Sequence, residues 1–298
     1  NGNLLSGQIP ISNLSHSNTK LRMLYLYENS LSGPVPTELG LLSGLQMLRL
    51  DINQLSSTIP TELVSLSKLD TLYLDYNAMT GTVPTQLGLL GPTLPDLQLG
   101  NNQLRGPIAS ELGNCRRMGQ LYLDGNALTG TLPSELFLAE SLTNLQLFQN
   151  QLQGTIHSEI GNLKLRFLSL GDNELTGVLP SELGLMLDLE DLVLSGNNLT
   201  STVPDLGRLQ RLSRLSLSDN LLSGRLPSEL GLFLRMTDLQ LFQNRLSGTI
   251  PSEIFGGSTG LQRLYLAGNS FSGQLPSEIG SLDLLEDLVL SNNRLVGE

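Results

Sequence analysis

The 298 residues hold 17 Lys and Arg against 28 Asp and Glu, a formal charge of −11 that repels a phosphate backbone and argues against nucleic-acid and anionic-membrane partners. Apolar residues make up 39% but aromatics only 4%, with no tryptophan, so the core must be packed from many similar aliphatic side chains, which points to repetition. No run approaches the ~18 apolar residues of a membrane helix, and no basic start precedes a short apolar stretch; no direct membrane insertion by this segment is expected.

The phrase L-x-x-L-x-L-x-x-N recurs from end to end, with its asparagine at Asn3, Asn29, Asn53, Asn77, Asn102, Asn126, Asn150, Asn173, Asn197, Asn220, Asn244, Asn269 and Asn293. The period is about 24 residues, so about 12 repeats are expected. Before each asparagine, leucine alternates with other residues, as at Leu21, Leu24 and Leu26, which predicts a short strand; stacked repeats make a parallel sheet. The asparagine amide can serve backbone donors and acceptors where the chain leaves the strand. Leu-(Ser/Thr)-Gly-x-(Ile/Val/Leu)-Pro follows, as at Leu128, Thr129, Gly130, Thr131, Leu132 and Pro133, where glycine relieves a crowded backbone and proline stiffens the return path. Next comes Ser/Thr-Glu-Leu-Gly, as at Ser181 to Gly184, which predicts a helical turn capped by the hydroxyl, its acid near the positive end.

In chain order, the irregular first interval contains His16 and the N-glycosylation sequon at Asn13. The strand before Asn29 carries Tyr25 and Tyr27, and the next four bring Asp51, then Tyr73 with Asp75, then neither type in these columns, then Tyr122 with Asp124. Tyr25, Tyr73 and Tyr122 share the column between the two strand leucines, and Asp51, Asp75 and Asp124 share the next column with Tyr27. All the tyrosines, Tyr76 and Tyr265 included, fall in or beside strands, giving an aromatic-acidic stripe that would select a basic or hydroxyl-rich partner. The plainer reading is that tyrosine simply suits exposed strand positions. Ser57 and Ser201 replace the repeat glycine, and Ala109 and His157 replace the proline. Cys115 is the single cysteine, can form no internal disulfide, and is expected to be a buried filler. Gln146-Leu147-Phe148-Gln149-Asn150 recurs as Gln240-Leu241-Phe242-Gln243-Asn244, which places Phe148 and Phe242 in the aspartate column as secondary contact candidates. A second sequon lies at Asn198.

The complete phrase L-x-x-L-x-L-x-x-N-x-L-(S/T)-G-x-I-P resembles the plant-specific class of leucine-rich repeats, found in receptor-like kinase and receptor-like protein ectodomains and in polygalacturonase-inhibiting proteins. The resemblance implies an α/β solenoid: a right-handed superhelix with a parallel sheet on the concave face and short helical turns and loops on the convex face. It covers nearly the whole chain, read as a single domain over residues 1–298. The paired-cysteine caps of such ectodomains are missing, and the chain opens and stops within repeats, so both ends are expected to expose core leucines.

Two functional readings follow. The first is a recognition module, a receptor ectodomain or secreted inhibitor at the cell surface, that binds a protein or peptide across the concave face. The second is a structural scaffold without a dedicated ligand, possible inside the cell; flanking sequence would discriminate them. No phosphate-cradling loop with lysine, no G-x-S-x-G elbow and no H-E-x-x-H occurs, so neither catalysis, nor a metal, nor a cofactor is expected. An ice-binding face would need a regular polar array, and Thr131, Thr155 and Thr249 are too intermittent for one.

Overall fold

Leucine spacing dictates the strands. In the computed structural model, which describes residues 2–10, 20–91, 93–257 and 260–297, the chain forms two compact units, Asn1–Leu152 and Gln153–Glu298. His16 and Asn13 lie outside the described residues. The first unit stacks β1 (Met23–Tyr25), β2 (Met47–Arg49), β3 (Thr71–Tyr73), β4 (Asp96–Gln98), β5 (Gln120–Tyr122) and β6 (Asn144–Gln146), each parallel to the next and in register, leucine beside leucine. The second unit repeats the arrangement with β7 (Phe167–Ser169), β8 (Asp191–Val193), β9 (Arg214–Ser216), β10 (Asp238–Gln240), β11 (Arg263–Tyr265) and β12 (Asp287–Val289). Leu48, Leu50, Leu72 and Leu74 are wholly buried, each contributing ~2 kcal/mol of burial, while the residues between them face outward. Their counterpart in the last repeat, Leu288, has a strand neighbour on one side only and is 38% exposed.

Where the chain leaves a strand, its backbone groups need new partners, and the repeat asparagine supplies them. Asn197 Nδ2 donates to the carbonyls of Leu194 (3.1 Å) and Ser195 (3.3 Å) in its own repeat and of Leu170 (3.0 Å) in the preceding one. Its Oδ1 accepts the Leu175 amide at 3.0 Å. The same set recurs at Asn53 and Asn126, so the amide staples adjacent repeats.

A second row of short parallel strands follows the asparagine. In the first unit it includes Ser30–Pro34, Gln54–Ser57, Ala78–Gly81 and Gln103–Gly106; in the second, Glu174–Val178 pairs with Asn198–Thr200. Gly81 shows why glycine recurs here: its φ is +81°, and an added Cβ would lie 2.7 Å from Thr58 Cγ2 of the preceding repeat. Ser57 and Ser201 occupy this position with φ of 74° and 77°.

The return side holds 3-10 turns such as Thr37–Leu41, Ser134–Leu138 and Ser181–Leu185, and a single α-helical turn, Glu253–Gly257, among the described residues. The expected hydroxyl caps are corrected by the structure. Proline occupies the cap position at Pro36, Pro133 and Pro180 in extended conformation, and no side chain caps these turns. The serine or threonine is already the first residue of the turn, so its hydroxyl bonds the neighbouring glutamate instead, as from Ser134 to Glu135 at 3.3 Å. Proline begins the turn with its carbonyl, which accepts Leu39 N at 3.2 Å from Pro36. No helix among the described residues is long and apolar enough to cross a membrane.

Candidate ligand-binding face

Strand register in the first unit aligns Tyr25, Arg49, Tyr73, Gln98, Tyr122 and Gln146 in one outward column. Two residues further along each strand come Tyr27, Asp51, Asp75, Gly100, Asp124 and Phe148. Tyr25 is exposed, its ring 6.2 Å from that of Tyr27 and tilted by 58°, and its hydroxyl reaches Met47 Sδ at 3.0 Å. The Tyr122 hydroxyl donates to Gln120 Oε1 at 2.9 Å and accepts from Asn144 Nδ2 at 3.0 Å, which holds the half-buried ring at a set angle.

The aspartates expected beside these tyrosines differ from one another in environment. Asp51 is 2% exposed, because Arg49 covers it and donates Nε and Nη2 to its two oxygens at 3.1 and 2.8 Å. The same guanidinium lies 4.0 Å from the Tyr27 ring centroid and 4.9 Å from that of Tyr73. Asp51 is therefore an internally satisfied group and does not face a partner. Asp124 is also buried, and Asn101 Nδ2 donates to it at 3.0 Å; burial raises its pKa against that bond.

Asp75 has neither resource. Its Oδ1 is buried without a hydrogen-bond partner, and the Asp75 pKa is pushed up to about 7, first by burial and then by the charge of Asp51, with its own backbone amide and then Arg49 opposing. Tyr73 does not serve it, because its hydroxyl donates to Asp96 of the next strand, and burial together with that bond pushes the Tyr73 pKa up. Asp96 also accepts from Gln98 Nε2 at 3.3 Å, and burial raises its pKa.

Between these groups lies a hollow of about 230 Å³ walled by Asp75, Tyr76, Gln98, Tyr122 and Asp124. Gly100 forms its floor, and a Cβ there would stand 2.7 Å from Asp124 Oδ1. Three other grooves recur at equivalent repeat positions, at Gln8–Glu38, Thr58–Gln86 and Thr155–Pro204, so they are a periodic product of the second strand row and the turns. The Gly100 hollow follows instead from an irregular run of side chains.

In the second unit several outward charges pair with one another. Asp238, 3% exposed, accepts from Arg263 Nε and Nη2 at 3.2 and 3.1 Å and has Arg214 at 3.8 Å; Tyr265 donates to Asp287 at 2.8 Å. Phe148 in the first unit and Phe242 in the second are both half-buried, so each presents part of its ring. Cys115 is buried, its Sγ 3.9 Å from the Leu87 carbonyl, and burial raises its pKa to about 11, which suits a filler. Asn198 is exposed at the start of Asn198–Thr200. No group of three or more His, Cys, Asp or Glu among the described residues is placed to hold a metal.

Residues 20–42, 164–186, 188–209, 211–233 and 260–282 match the Leucine Rich Repeat family. A solved leucine-rich repeat protein of Leptospira interrogans is 31% identical, with 87% of this chain and 76% of that one covered at a TM-score of 0.54. The chain belongs to the leucine-rich repeat family. Among solved structures this leucine-rich repeat chain is also similar to the plant peptide hormone receptor RGFR1 in complex with RGF2, at 32% identity over 98% of this chain and 51% of that one, TM-score 0.91. The TDR receptor matches at 32% identity over 99% and 51%, TM-score 0.93. The chain thus spans about half the length of these receptor structures. Among curated protein sequences nothing matches it.

Arg49, Asp96, Gln98 and Gly100 shape this face of the first unit and were not singled out by composition and motif. Register alone could have found Arg49, since it occupies the tyrosine column directly between Tyr25 and Tyr73.

Proposed function

We propose that this chain is a non-enzymatic recognition module that binds a protein or peptide non-covalently on the strand face of its first unit, at the cell surface or outside the cell. The observation that carries this reading is the outward column in which Tyr25, Tyr73 and Tyr122 stand on in-register strands, held by side-chain bonds within the face. Rigid tyrosines give large contact area at small entropic cost on binding. The likeness to a plant peptide hormone receptor in complex with its hormone supports the class of partner. Asn198 would accept a glycan without disturbing the core, since its side chain is exposed. Phe148 supplies a further contact in the same unit, and Phe242 one in the second.

The scaffold reading finds its support in the second unit. There Arg214, Asp238, Arg263, Tyr265 and Asp287 pair among themselves, which leaves these charged groups committed within the face.

Capture of partners from secreted and cytosolic extracts, compared between the native chain and a Tyr25→Ala, Tyr122→Ala, Phe148→Ala variant, tests the recognition reading. A partner retained by the native chain alone, from the secreted extract, is the expected result. Equal capture by both chains would reject this face, and no capture from either extract would favour the scaffold.

A further inference from the structure

The first unit contains its own example of how this face holds a cation. Arg49 lies against the rings of Tyr27 and Tyr73, at 4.0 and 4.9 Å, while its guanidinium forks onto both oxygens of Asp51. Three kinds of group make that arrangement: a carboxylate in the second outward column, tyrosine rings beside it, and a planar cation bridging them.

At the Gly100 hollow the first two are present and the cation is not. Asp75 lines the hollow and brings the carboxylate, whose Oδ1 is buried without a partner, and Tyr76 and Tyr122 line it with their tyrosine side chains. Arg49 is committed to Asp51 by two bonds and leaves Asp75 unpaired. Asp124, across the hollow, adds a second negative charge, and the amides of Gln98 and Asn101 line the wall. Gly100 clears the space that a side chain at that column would fill.

We propose that this hollow receives the guanidinium of an arginine side chain from a peptide partner, with Asp75 as counter-ion and Tyr76 and Tyr122 as its aromatic walls. The proposal rests on the recognition reading above and assigns the chemistry of one contact within it. Arginine suits the place better than lysine because the planar fork can pair with a carboxylate and stack on a ring together.

The test uses the full chain, isotopically labelled, and three short blocked peptides: Ac-Gly-Arg-Gly-NH₂, its lysine analogue and its citrulline analogue, which keeps the shape without the charge. Backbone amide shifts of Gly100 and Asn101 are followed during titration. The arginine peptide should give saturable shifts in the millimolar range, the lysine peptide weaker ones and the citrulline peptide none. Asp75→Asn should reduce arginine affinity at least tenfold while retaining its circular dichroism and a cooperative melt, and Gly100→Ala should reduce it by filling the floor. Equal shifts from citrulline, no saturable shift from arginine, or calcium ions perturbing these amides where arginine does not would each overturn the proposal. Loss of partner capture on Tyr25 and Phe148 substitution together with indifference to Asp75→Asn would reject this contact and keep the recognition reading. Arginine binding here with no partner captured anywhere would do the reverse.

Discussion

Asp75 and Asp51 occupy equivalent positions in adjacent repeats, yet one has a buried oxygen without a partner and the other is doubly bonded. The difference is the side chain two residues earlier: Arg49 can turn onto Asp51, whereas Tyr73 turns away to Asp96. Because folding raises the Asp75 pKa from its ordinary 3.8 to about 7, the folded chain binds that proton more tightly than the unfolded one. Its contribution to stability is complete below about pH 4 and is lost as pH rises towards 7. Asp75→Asn should therefore melt higher than the native chain at pH 8, by ~2 °C or more, and almost identically at pH 4. Thermal melts at the two pH values would show it, and an equal change at both would refute the assignment of the proton to Asp75. Asn197 makes a different case, since its single amide meets one amide and three carbonyls. Asn197→Ala should destabilise by ~3 kcal/mol, read from chemical denaturation, through buried backbone groups left without partners.

At the scale of the element, much was legible before any coordinates. Leucine alternation located the strands, and the asparagine marked where they end, because each residue type answers a local physical demand that repeats every 24 residues or so. The turns were read less well. The Ser/Thr-Glu wording has the look of a capped helix, but the preceding proline already holds the cap position and the hydroxyl is one residue too late. The candidate face was legible as columns, since side-chain alternation plus in-register stacking gives the columns directly. Which members of a column are free was not legible, because that depends on where long side chains such as Arg49 and Tyr73 turn after the strands are assembled. The substituted glycines bear on element stability in a simple way: Ser57 and Ser201 sit at positive φ, which costs an L-residue ~1–2 kcal/mol. Ser57→Gly should raise the unfolding free energy, read from chemical denaturation, by up to about 1 kcal/mol once the flexibility of unfolded glycine is subtracted. A fall in stability would show that the serine hydroxyl has a compensating bond.

For the whole molecule, repetition separates what holds the fold from what distinguishes the surface. The core leucines, the asparagine staples and the proline-led turns appear in both units, so they carry stability and no information about a partner. What differs between the units is the outward chemistry: tyrosines, an unpaired aspartate and a hollow in the first, and self-paired arginines and aspartates in the second. The net charge of −11 sets a bias towards a basic partner, which the hollow at Gly100 would read locally. The central claim is that the strand face of the first unit, and not the turn side, meets the partner. Site-specific photo-crosslinking tests it most directly: a benzophenone amino acid placed at Tyr122 on the strand face, or at exposed Glu135 on the turn side, is irradiated in secreted extract. A discrete protein or peptide adduct from position 122 and none from position 135 is the predicted result; an adduct from position 135 alone would contradict it.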